Sequence, residues 1–138
     1  MQMEDVKRCF KNDRFAAHSD IELLSVSPGH ATAKMTLHSR HLNGVNTVHG
    51  GAIFTLADFA FAGASNAHGK VAVGINVSIT YMKAVSSGTL RAEAREISAN
   101  PKLASYTVNI TDEHNTLIAV FQGLVYRKDQ PLPWAPKK

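Results

Sequence analysis

The sequence predicts an α+β domain in which an antiparallel sheet wraps one long buried helix, and three observations predict it. Between residues 52 and 64 nearly every position is apolar, and Asp58 is the only ionisable side chain between Gly51 and Asn66. Six segments outside this stretch read as strands, separated by short turn signals rather than by further helices. At 138 residues the chain is one domain by length, with no boundary expected within residues 1–138.

The elements follow in order. Met3, Val6 and Phe10 recur at helical spacing, so residues 1–19 are expected to be a helical N-terminal segment. Strands are expected over Asp20–Ser27 and His30–Leu37, divided by Pro28-Gly29. In the second of these, Ala31, Ala33, Met35 and Leu37 alternate with polar residues, the period of a half-buried strand. A polar loop from His38 to His49 leads into the apolar stretch, whose alanines and Leu56 favour a helix. A helix apolar on nearly all sides is expected to be buried. Four more strands are expected at Val71–Met82, Thr89–Ser98, Leu103–Thr111 and Leu117–Arg127. In the first of them Val71, Val73, Ile75, Val77, Ile79 and Tyr81 fall on one face. Residues 128–138, rich in proline, are expected to form an extended tail.

Bulk properties exclude several classes. The net charge of +4 is mild and the basic residues are scattered, so no nucleic-acid partner is expected. Cys9 is the only cysteine, which rules out an internal disulfide and fits a reducing compartment. No window reaches the length of a membrane span and the N-terminus lacks the apolar core of a signal peptide, so a cytoplasmic protein without a membrane partner is expected. His38, His41 and His49 share a loop but match no metal-ligand spacing, and no metal is expected. Cys9 has no triad context and reads as a packing residue.

Asp58 is the anomaly. A carboxylate in a buried helix is costly unless it is paired or reaches water. Thr55, Asp58, Ala62 and Ser65 share one helix face at three- and four-residue spacing, small and partly polar, along which a channel could run. The alternative is a structural aspartate bonded to backbone or to Thr55. At the helix start, Gly50 and Gly51 carry no Cβ, so a ligand could approach amides that have no intrahelical partner. Such amides can polarise a carbonyl and hold an oxyanion, with Asn43 and His49 near enough to donate or orient. A tight loop-to-helix turn would equally use two glycines. Gly50 and Asp58 are eight residues apart, about 12 Å of helix rise, too far to share one small reacting group. A site composed from two copies of the chain is therefore expected.

These residues carry a family resemblance. Residues 42–66, LNGVNTVHGGAIFTLADFAFAGASN, resemble the signature of PaaI-like (phenylacetate-pathway-type) hotdog thioesterases, and residues 76–94, NVSITYMKAVSSGTLRAEA, continue it. In order and element type the likeness spans about residues 20–127. It implies a hotdog fold and hydrolysis of acyl-CoA thioesters without a cofactor. It places Asp58 on the carboxylate that activates water or attacks directly, and Gly50 on the carbonyl-polarising amide supplied by the opposite subunit. His49 falls on the preceding histidine and Asn43 on an orienting asparagine. A serine that assists in some relatives aligns with Gly74 here, leaving Asn76 or Ser78 as loose substitutes. Gly51 and Thr55 are further substrate-binding candidates. Lys83, Arg91, Lys102 and Arg127 are candidates for coenzyme A phosphates, although each reads equally as a solvated charge. The resemblance also implies homodimers that pair into tetramers. A hydratase or dehydratase using His49, or a non-catalytic acyl-CoA-binding protein, are the competing readings. Phe54, Phe59, Phe61 and Tyr81 could line an acyl pocket or simply fill the core.

Overall fold

The computed structural model describes residues 3–133. Helix α1 (Met3–Lys11) places Glu4 and Asp5 in its first turn and Arg8 and Lys11 in its last, matching the helix dipole at both ends. Helix α2 (Arg14–His18) follows at once, its start capped by the Asp13 carboxylate, which accepts from Ala16 N–H at 3.0 Å. Both helices lie against β1 (Ile21–Ser27), and Val6 and Ala16 anchor them in the core.

The remaining elements are β2 (His30–Thr36), α3 (Gly50–Asn66), β3 (Lys70–Tyr81), β4 (Thr89–Ala99), β5 (Leu103–Thr111) and β6 (Leu117–Pro131). The strands form one sheet in the order β1-β2-β4-β5-β6-β3, antiparallel at every pairing. Helix α3 packs across this sheet and touches every strand. The expected architecture, a sheet folded on one long helix, is the one observed.

Side-chain size fixes the depth of that packing. Phe61, in the second half of α3, meets Tyr106 and Phe121 with ring centroids 5.6 and 5.3 Å away. Gly123 lies directly beneath it, where a Cβ would come within 2.6 Å of the Phe61 ring. The missing side chain on β6 is what lets the aromatic ring lie flush with the sheet.

Three expectations need correction. The last strand does not stop at Arg127: β6 continues to Pro131, which pairs with Lys70, so the first residues of the expected tail belong to the sheet. Proline is tolerated there because a strand terminus has no ladder bond for it to break. The end of the expected tail, residues 134–138, lies outside the described residues. The single apolar face expected along β3 is broken by a bulge between Gly74 and Asn76. Val73 therefore sits opposite exposed Tyr126 on the outer side, while Val77, Ile79 and Tyr81 sit opposite Gly123, Phe121 and Ala119 on the helix side. Finally, α3 is not buried all round. Ile53, Leu56, Ala60, Phe61 and Ala64 are covered, but Gly51, Thr55, Asp58 and Ala62 form an open stripe because the sheet wraps only part of the helix circumference.

β3 is an edge strand of twelve residues, and Val73, Ile75 and Val77 on it are exposed. No helix among the described residues is long and apolar enough to cross a membrane.

Candidate active site

The start of α3 is held from below by a histidine. His41 is 4% exposed and accepts from the His38 amide at 2.9 Å through Nδ1, while Nε2 faces the Ser19 carbonyl at 2.8 Å. A ring nitrogen that accepts leaves its partner to donate, so the proton belongs on Nε2. The His41 carbonyl then accepts from His49 N–H at 2.7 Å and fixes the residue that caps α3.

His49 is the N-cap, in an extended conformation (φ −61°, ψ 133°), and its Nδ1 accepts from Gly51 N–H at 2.8 Å. Its carbonyl accepts from Ala52 N–H at 2.9 Å and Ile53 N–H at 3.3 Å. Of the first four amides of the helix, the set that always lacks intrahelical acceptors, three are thus satisfied. Gly50 N–H alone donates to no acceptor among the described residues.

The structure also revises why two glycines stand here. A Cβ at Gly51 would lie 2.9 Å from His49 Nδ1, and one at Gly50 would lie 3.1 Å from Cζ and Oη of Tyr81. Rings of the chain itself crowd the space where side chains at these two positions would lie. Tyr81 closes the contact by donating its hydroxyl proton to the Gly50 carbonyl at 2.9 Å.

Along the open stripe, Thr55 donates its hydroxyl to the Gly51 carbonyl at 2.7 Å, and Asp58 follows one turn later with an exposed carboxylate. Ser65 does not join them: it is 2% exposed and its hydroxyl donates to the Phe61 carbonyl at 2.8 Å. A cleft of about 250 Å³ runs beside the stripe, with His49, Gly51 and Thr55 on one wall and Phe15 and His18 of α2 on the other.

Asp58 is open to solvent on its stripe, yet the protein crowding its other sides removes hydration from the charged form. This desolvation pushes its carboxyl above the usual aspartate range, and the negative charge of Asp13 pushes the same way. Asp13→Asn keeps the cap of α2, since asparagine caps as well as aspartate, and removes only the charge. The Asp58 carboxyl, followed by carbon NMR during a pH titration, is expected to titrate at lower pH in that variant. An unchanged midpoint would remove Asp13 from the electrostatics of the site.

Asn43 is engaged locally. Its side-chain carbonyl accepts from Val45 N–H at 3.0 Å and Thr47 N–H at 3.2 Å, and its amide donates to the Thr47 hydroxyl at 3.0 Å. It shapes the loop that delivers His49. Asn76 and Ser78 pair opposite Leu124 and Gln122, on the side of the sheet away from α3, so one chain does not bring them to Gly50 or Asp58. Gly74 faces inward, where a Cβ would lie 3.1 Å from Phe61. Lys83 and Arg91 are both exposed. Lys102 instead joins Lys70, Arg127 and Lys128 around a cleft of about 320 Å³ that holds one carboxylate, Asp129. Among the described residues no group of three or more His, Cys, Asp or Glu side chains could hold a metal ion.

Residues 45–119, which carry the helix start, Asp58 and the next three strands, match the thioesterase superfamily. The acyl-coenzyme A thioesterase PaaI of Escherichia coli is 33% identical over 86% of this chain and 85% of its own length. This chain belongs to the thioesterase superfamily. The structure of E. coli PaaI superposes with a TM-score of 0.89 at 29% identity, covering 94% of both chains. A protein of Archaeoglobus fulgidus provisionally called an esterase is 46% identical over 90% of this chain and 81% of its own. The thioesterase is thus PaaI-like and has the hotdog fold, as the resemblance in residues 42–66 implied.

Three residues that hold or charge this candidate site do not stand out for those roles in the sequence. His41 reads there only as one of three loop histidines without metal-ligand spacing and Tyr81 as a pocket wall or core residue, while Asp13 draws no notice. A D-R-F-A pattern before a five-residue helix is nevertheless a readable capping signal for Asp13. Nothing local marks Tyr81, because its contact joins residues 31 positions apart.

Proposed function

We propose that this thioesterase hydrolyses an acyl-CoA thioester to the free acid and coenzyme A, at a site shared by two copies of the chain. The observation that carries the reading is the amide of Gly50, which meets no acceptor among the described residues. It sits at the positive end of a seventeen-residue helix, in the position where an oxyanion is best stabilised. The name of the E. coli relative supports the substrate class.

Asp58 of one subunit takes a proton from water as the water oxygen attacks the thioester carbon. Gly50 N–H of the other subunit holds the oxygen that becomes negative. Collapse of the tetrahedral adduct breaks the carbon–sulfur bond, and the departing thiolate receives the proton from Asp58. Atoms and charges balance with water as the only co-reactant, so the reaction calls for no cofactor. The cationic cleft of Lys70, Lys102, Arg127 and Lys128 suits the phosphates at the far end of coenzyme A, since its four cations face a single carboxylate.

Two features support a second subunit. Gly50 and Asp58 lie on the same helix, about 12 Å apart along its axis, so one chain cannot bring both to one carbonyl. The edge strand β3, exposed and partly apolar, is open to pairing with a second β3 about a two-fold axis. Asn66 at the end of α3 bonds Ala72 at the start of β3, and Tyr81 at the end of β3 bonds Gly50 at the start of α3, so helix and strand run antiparallel. Two-fold pairing along β3 would then run the two α3 helices antiparallel and bring each Gly50 toward the partner's Asp58.

Subunit complementation tests this. Asp58→Asn and Gly50→Pro chains, each inactive alone, are mixed, dissociated and reassociated. About a quarter of the wild-type thiol release is expected, because about half of the dimers are mixed and each contains one intact site of two. A mixture as inactive as its components would rule out the shared site.

A further inference from the structure

Strand β3 ends on the start of α3, and one side chain makes the join. Tyr81, the last residue of β3, donates its phenolic O–H to the Gly50 carbonyl at 2.9 Å. Its ring lies against the same residue, with Cζ and Oη 3.1 Å and Cε1 3.5 Å from where a Gly50 Cβ would be. Both contacts therefore converge on the residue whose own N–H is unpaired. Core filling within the chain does not account for Tyr81, a residue 48% exposed.

We propose that Tyr81 is a positioning residue that holds the Gly50 amide in line for the substrate carbonyl. The proposal rests on reading Gly50 as the carbonyl-polarising donor. The first turn of a helix is its least constrained part, because its amides look forward to no helical acceptor. Here the turn is gripped from two sides. His49 holds Gly51 N–H, and Tyr81 holds the Gly50 carbonyl while its ring stops the Gly50 Cα from moving toward the sheet. A donor that stabilises charge developing in the transition state depends on its aim, and a displacement of about 1 Å costs on the order of a hundred-fold in rate. Asp58 lies two turns further along α3 and is not touched by this clamp.

The test uses the full chain and an acyl-CoA that the wild type cleaves. Tyr81→Phe keeps the ring and removes only the hydrogen bond. It is expected to lower kcat about ten-fold while KM stays within about two-fold, because the bond aims a transition-state donor rather than binding substrate. The acid limb of the pH profile is expected not to move. The chain has nine glycines, few enough for glycine-labelled nitrogen NMR to follow Gly50 directly, and its amide resonance is expected to shift in this variant while Gly29 and Gly123 hold. A second comparison isolates the ring. Gly50→Ala keeps the N–H but sets a methyl against Tyr81, so its loss of kcat is expected to shrink in a Tyr81→Ala background. Unchanged kcat in Tyr81→Phe, a kcat loss with the Gly50 resonance unmoved, or a Gly50→Ala loss equally deep without the ring would each overturn the proposal. If the wild type releases no thiol from any acyl-CoA, the functional reading fails instead, and the Gly50 resonance still decides whether Tyr81 sets that amide.

Discussion

Replacing Asp58 with asparagine is expected to lower kcat for thiol release from acyl-CoA by about a hundred- to ten-thousand-fold, the range lost with a general base. The substitution keeps the shape of the side chain and removes its capacity to accept a proton. Because Asp58 lies on the open stripe of α3, the change leaves the core intact. The direction of its pKa also fixes the sign of the stability effect. A carboxyl with a higher pKa in the folded than in the unfolded state binds its proton more tightly when folded, so its ionisation at neutral pH opposes folding. Asp58→Asn is therefore expected to melt no lower than the wild type at pH 7, which separates lost chemistry from lost structure. In the wild type, activity is expected to fall as pH drops through a midpoint above the ordinary aspartate value. Wild-type turnover by Asp58→Asn would end the assignment of this carboxylate as the base.

Gly50→Pro is expected to lower kcat by about a hundred- to a thousand-fold, the loss that follows removal of one oxyanion donor. Proline is the one residue that deletes a main-chain N–H, and the first position of a helix is where it is best tolerated. The residue before a proline must be extended, and His49 already is, at φ −61° and ψ 133°. The helix backbone therefore suits the change, and at the Cβ the Tyr81 ring must yield a few tenths of an ångström. Turnover measured beside circular dichroism checks both parts. A folded Gly50→Pro chain with undiminished kcat would show that the Gly50 amide does not meet the thioester.

Much of this molecule is legible in its sequence, and what is hidden has a common cause. The helix Gly50–Asn66 is visible because its apolar run is long and its only charge stands alone. The turn at Pro28-Gly29 separates the strands on either side of it, as turn chemistry predicts. The face of β3 is misread because a bulge shifts the two-residue period, and the one local sign of it is the isolated glycine beside it, Gly74. The spacing of Ser65 puts it on the open face, within about 20° of Asp58 around the helix, yet the folded chain covers it and its hydroxyl turns back onto the Phe61 carbonyl. The glycine pair does mark a close approach, and two groups of the chain itself make one. They are His49 and Tyr81, and the second comes from a strand that only the folded chain brings near. Local pattern reads periodicity and caps well. It cannot read contacts made across the sheet.

The free edge of β3 has a consequence for behaviour in dilute solution. If donor and base belong to different chains, catalytic output follows mass action: below the dissociation constant of the pair, rate rises with the square of chain concentration rather than in proportion to it. Such an enzyme is switched on by its own abundance. It works at full strength only where enough of it has accumulated for the edges to meet.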